Sequence, residues 1–173
     1  MEKVLLIKRL TKNAIYLALL CAIGMFAIPL GDNIKVSLQL LIVFIIGLTA
    51  TSFVDTLIVT SLYLGLGMFL PIYAGFHAGI SPTFGYVISF VVISLPLYFL
   101  NKLPIKNDFL RIGLACFVSL IIVYIIGTLF LMLYLNLSIE KALLLSVVPY
   151  IPFDIAKIII ATLVVNLLPS KYR

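Results

Sequence analysis

The chain is a succession of long apolar runs separated by short segments that hold nearly all of its charge. A helix that crosses a bilayer needs about 17–25 mostly apolar residues. On that measure six spans are predicted, from Thr11 to Pro29, Val36 to Ala50, Phe53 to Leu70, Phe84 to Leu100, Arg111 to Leu135 and Ser146 to Leu168. The second and third are short and meet at Thr49-Ala50-Thr51-Ser52 with no proline between them, so two helices or one fused, tilted pair both fit there. The residues before Thr11 are expected to form a retained amphipathic lead-in, because no small-residue cleavage site followed by a soluble domain is present. The expected fold is an all-α membrane protein, a single domain over residues 1–173. Its architecture is a bundle of six transmembrane helices with a structured external loop between the third and fourth.

Composition narrows the class further. With 64% hydrophobic residues, 10% charged residues and a mean hydropathy of +1.31, the chain is far more apolar than soluble domains. Nothing in it has the character of a nucleotide-binding domain. A net charge of +6 would suit a nucleic-acid partner if the basic residues formed a dense patch, but they are dispersed at the ends of apolar runs. Membrane topology accounts for them instead. Under the six-span layout Lys3, Lys8, Arg9, Lys12, Lys102, Lys106, Arg111, Lys171 and Arg173 fall on one side, and Lys35 and Lys141 on the other. Cytoplasmic loops are enriched in Lys and Arg, so both termini are expected in the cytoplasm, with the chain in the cell membrane. Cys21 and Cys116 lie inside apolar runs without metal or CxxC spacing and read as small buried hydrophobes.

One segment breaks the pattern. Asp154 and Lys157 lie three residues apart within the sixth span. An ionisable side chain in hydrocarbon costs from about 2.5 to more than 10 kcal/mol, so a span keeps one only where something compensates it. The spacing puts both groups on one helical face. A carboxylate there can accept from ligand N–H groups and an ammonium can donate to a carbonyl or carboxylate, both strengthened by low dielectric. Alternatively the two satisfy each other and snorkel to the interface. Pro149 and Pro152 are placed to fix where this helix begins.

The segment from Leu70 to Tyr86 is rich in glycine and proline, holds the only histidine, His77, and opens on the same side as Asp154. Irregular backbone near membrane depth is tolerated where it lines a cavity. Gln39, within the second span, is either a liner of that cavity or interhelical glue. Asp55 is expected to cap the third helix. Catalysis is not expected, since there is one histidine, no HExxH and no paired carboxylates within a helix. No cofactor or metal is expected either. A small ion-conducting or structural membrane subunit stays open.

Several blocks, in order and spacing, resemble the biotin-specific substrate-binding components of energy-coupling factor transporters. They are Ile-Pro-Leu-Gly at 28–31, Val-Ser-Leu-Gln-Leu-Leu at 36–41, Leu-Pro-Ile-Tyr-Ala-Gly, Ser-Pro-Thr-Phe-Gly-Tyr and Pro-Phe-Asp-Ile-Ala-Lys. The resemblance runs over nearly the whole chain. It implies a subunit that captures biotin outside and delivers it inward after docking on a transmembrane coupling protein with two cytoplasmic ATPase subunits. By this resemblance Asp154 and Lys157 contact the polar groups of biotin, and Gly75 and His77 belong to the family's glycine-rich loop. Tyr73, Phe76 and Tyr86 are candidate wall residues for the thiophane ring and valeryl chain. Ala14, Ala18 and Ala22, spaced by four on the first span, match an Ala-x-x-x-Ala docking surface; small residues so spaced let another helix approach closely. Phe76, Ala78, Ser81 and Phe84 stand where the family pattern has glycines, which reshapes the pocket and leaves a related vitamin as an alternative ligand.

Overall fold

The protein is described by a computed structural model over residues 2–29 and 35–169. Leu30 and Gly31 of the first motif block, and Lys171 and Arg173 of the charge count, lie outside the described residues. The chain is mostly helical. In order it forms α1 (Glu2–Gly24), β1 (Ala27–Pro29), β2 (Lys35–Ser37), α2 (Gln39–Thr49), α3 (Phe53–Gly67), α4 (Phe84–Val92), α5 (Ser94–Leu100), α6 (Asp108–Leu135), α7 (Ile139–Ser146) and α8 (Ile151–Leu167).

Local chemistry sets the boundaries. Ser52 caps α3 by accepting from the Val54 N–H at 3.3 Å, and Asn107 caps α6 by accepting from Phe109 and Leu110. Asn136 ends α6 in the left-handed conformation, with φ of 51°. The expected fourth span is two helices because Pro96 has no N–H to give the carbonyl of Val92, the last residue of α4. The same cause sets the start of the expected sixth span, whose body is α8 and which shares only Ser146 with α7. Pro149 and Pro152 cannot bond back to the preceding turn, so α7 and α8 meet at a bend of 52° with Pro152 in the first turn of α8.

Three features depart from the expectation. The lead-in is continuous with the first helix, so α1 begins at Glu2. The fold is not purely helical, since β1 and β2 pair antiparallel with Ile28 opposite Val36. A run of three residues per strand is too short to show a period. Finally, the connection expected between the fifth and sixth spans holds a helix, α7, whose eight residues fall well below spanning length. Residues 50–52 do separate α2 from α3, so the pair is not fused.

Among the described residues, α6 alone is long and apolar enough to cross a membrane, and α7 with α8 qualify as one bent unit. At about 1.5 Å per residue, α6 is about 42 Å long and α2 about 16 Å. The helices α2, α3 and the joined α4–α5 are shorter apolar segments.

The packing of α6 displays the surface character. Leu114, Phe117, Ile121, Ile125, Leu129 and Leu133 recur every three or four residues and are exposed, while Ala115, Cys116, Ser119, Gly127 and Thr128 face inward. Large apolar side chains outside, and small or polar ones interspersed with Ile112, Leu120, Val123 and Leu131 inside, suit a helix with lipid on one face and close neighbours on the other. Those neighbours are α4, α5, α7 and α8, while α2 packs on α8 and α1 on α3. Phe44, Tyr63, Ile93, Leu97 and Ile112 form the buried centre.

Candidate ligand site

Where α2, α4, α6, α7 and α8 converge beneath the 70–83 segment they leave a cavity of about 450 Å³. That lies within the roughly 300–1,000 Å³ of small-molecule sites. Asp154 and Lys157 are on its wall, 5% and 7% exposed. Lys157 Nζ donates to Asp154 Oδ1 at 2.7 Å, and Tyr124 Oη donates to Asp154 Oδ2, also at 2.7 Å. The two charges therefore do satisfy each other, but buried against a cavity; snorkelling to the interface is not what holds them. Both have bonding capacity left, since each carboxylate oxygen has a second lone pair and the ammonium uses one of its three donors on Asp154.

The 70–83 segment lines one side of the cavity through a backbone hairpin. The Tyr73 N–H donates to the His77 carbonyl at 3.0 Å, and the His77 N–H donates to the Tyr73 carbonyl at 3.3 Å. Gly75 and Phe76 make the turn at φ of 77° and 59°, a region that glycine enters freely and phenylalanine rarely. Tyr73 is fixed from α3. Its hydroxyl donates to the Leu64 carbonyl at 2.6 Å, and its ring lies where a Cβ on Gly67 would come within 2.0 Å. Burial pushes the Tyr73 phenol up to about 12. Gly75 donates its N–H to the Met25 carbonyl at the end of α1, tying the segment to the neighbouring helix.

Of the residues picked out in the sequence, Asp154, Lys157, His77, Tyr73, Tyr86 and Gln39 line the cavity. Gly75 and Phe76 are not among its lining residues. Gly75 serves the turn, and Phe76, 58% exposed, packs edge-on against Phe26. Gln39 is both liner and glue, since its amide donates to Tyr63 Oη at 2.5 Å and Tyr63 donates to the Ile72 carbonyl. Tyr86 packs its ring on Gly127 and donates to the Ser146 carbonyl at 3.1 Å. Ala14, Ala18 and Ala22 are exposed along α1, on the side away from buried Leu20.

Sequence reasoning missed Tyr124, Tyr150 and Ser146, whereas the Ser81–Thr83 edge of the cavity falls in a block it had marked. A signal for part of this existed. Tyr124, Gly127, Thr128 and Leu131 share one face of α6 at helical spacing, and that face holds the polar and small residues of an otherwise apolar stretch.

A mostly helical body with an apolar exterior, built round a cavity whose wall carries an ion pair, is the architecture of a membrane solute-binding protein. The full chain, residues 1–173, matches the BioY family. The biotin transporter BioY of Thermotoga maritima is 31% identical over 162 residues, covering 91% of this chain and 93% of that protein. The 2.1 Å crystal structure of the S-component for biotin from an ECF-type ABC transporter aligns with a TM-score of 0.79 at 25% identity, over 96% of this chain and 93% of that one. This chain belongs to the BioY family, whose members are membrane transport components and not enzymes.

Proposed function

We propose that the protein is the biotin-capturing subunit of an energy-coupling factor uptake transporter. The observation that carries this is the buried Asp154–Lys157 pair on the wall of a 450 Å³ cavity that is otherwise mostly apolar. Biotin offers a ureido group with N–H donors and a carbonyl acceptor, attached to an apolar ring and chain. Asp154 accepts from the N–H groups and Lys157 donates to an acceptor oxygen, while Val87, Phe90, Val123 and Leu131 pack the apolar part. His77, Tyr73, Tyr86 and Gln39 complete the wall, with Gly75 and Phe76 shaping the loop that covers it.

In this reading α1, α2, α3, α4–α5, α6 and α8 are the six spans. Both termini are cytoplasmic, so the 70–83 segment and the start of α8 face outward. The helices too short to cross alone draw support from the BioY resemblance and from the apolar exterior. Ala14, Ala18 and Ala22 form the face that docks on a transmembrane coupling protein, which works with two cytoplasmic ATPase subunits.

A thermal-shift screen of the purified protein against water-soluble vitamins tests the ligand. A ligand that binds only the native state stabilises it in proportion to RT ln(1 + [L]/Kd), about 2.7 kcal/mol at a hundredfold excess over Kd. Biotin should raise the unfolding midpoint and the other vitamins should not. A shift with another vitamin and none with biotin would transfer the site to that ligand.

A further inference from the structure

Asp154 is held by donors from two different helices, and only one of them is independent of α8. Lys157 lies three residues along the same helix and moves with the carboxylate, whereas Tyr124 reaches it from α6, thirty positions earlier in the chain. With one oxygen turned to Lys157 and the other to Tyr124, the plane of the carboxylate is set relative to α6, and its remaining lone pairs are set with it.

We infer that Tyr124 is a positioning residue for ligand recognition. Its hydroxyl orients Asp154 so that the carboxylate meets the ureido N–H groups in a fixed geometry. The inference rests on the reading of the cavity as a biotin site. Tyr124 is well placed to be rigid, because α6 is pinned close beside it. One turn further on, Gly127 lies under the Tyr86 ring, and Thr128 Oγ1 is 3.2 Å from Ser146 Oγ at the end of α7. A carboxylate so fixed is pre-organised for its ligand, and orientation of this kind lowers the ordering cost of binding.

The test is a double-mutant cycle of Tyr124→Phe and Asp154→Asn, with biotin affinity measured by titration. Phe keeps the ring and removes only the hydroxyl. In the wild-type background Tyr124→Phe should weaken biotin about tenfold, the scale of one hydrogen bond to a charged group. It should weaken desthiobiotin equally, since that analogue shares the ureido group and lacks the sulfur ring. In the Asp154→Asn background it should weaken biotin less than about threefold.

The same cycle read in the unfolding midpoint of ligand-free protein should also show coupling, which keeps the test open if Asp154→Asn binds too weakly to titrate. Equal losses in both backgrounds, a loss for biotin but not desthiobiotin, or additive midpoints would overturn the inference. An Asp154→Asn protein that binds biotin with unchanged affinity would overturn the reading of the site itself.

Discussion

A methyl group at position 127 would sit 2.4 Å from Tyr86 Cε1, inside any real contact distance. Because Tyr86 lines the cavity and carries the bond to Ser146, the Gly127→Ala variant must displace a wall residue or part α4 from α6. We expect a loss of about 1–3 kcal/mol in stability, the usual cost of overpacking, together with weaker biotin binding, both readable by thermal unfolding with and without ligand. A variant with unchanged midpoint and affinity would show that the Tyr86 ring moves aside freely. At this scale the sequence was partly legible. Asp154 and Lys157 stand out because a charge in an apolar run has few innocent explanations, and they are on the cavity wall. Tyr124 did not stand out, since a tyrosine in an apolar helix is ordinary until its partner is known. Gly75, expected in the family's glycine-rich loop, is not on the cavity wall, and its φ of 77° favours glycine there.

Between elements, the end of the bundle away from the cavity is held by side chains of α1. Arg9 donates to both oxygens of Asp55 at 3.0 and 3.1 Å, and Asn13 adds a bond at 2.9 Å. Lys12 donates to the Thr49 carbonyl at 2.6 Å, closing the last turn of α2, and the Asn101 amide does the same for Leu48. Asp55 was expected to cap α3; Ser52 does that, and Asp55 ties α3 to α1 instead. The Asp55→Ala variant should lose about 1–2 kcal/mol of stability, given that Arg9 is half exposed and interhelical polar contacts in membranes are modest. Biotin affinity should stay within about threefold, because the tether is remote from the cavity. A large loss of affinity would mean that the α1 tether sets the pocket. Element breaks at Pro96 and at Pro149 with Pro152 follow from the missing N–H and could be read from sequence. The β1–β2 hairpin and α7 could not, because a few residues carry no usable period.

Taken whole, the proposed capture and docking faces, the cavity and the alanine stripe of α1, share no residues. Leu20, Tyr16 and Asn13 face inward from α1 while Ala14, Ala18 and Ala22 are exposed, so larger side chains at the alanines reach outward without disturbing the core. Replacing Ala14 and Ala18 with tryptophan should therefore stop biotin uptake in cells while biotin affinity of the purified subunit is retained. Loss of affinity in that variant would contradict the separation of docking from capture. The membrane class was legible from composition alone, since 64% hydrophobic residues leave no other home for the chain. The shape of the cavity was not, because it depends on how α7 folds back beside α6 and on the Tyr73–His77 hairpin, neither of which local pattern encodes.

The central claim is that the buried Asp154–Lys157 pair grips biotin. Titration calorimetry on purified wild-type, Asp154→Asn and Lys157→Met proteins tests it most directly. The account predicts saturable binding to the wild type and a fall of about a hundredfold or more in each variant, as expected when one partner of a buried charge pair is removed. Unchanged affinity in both variants would contradict it.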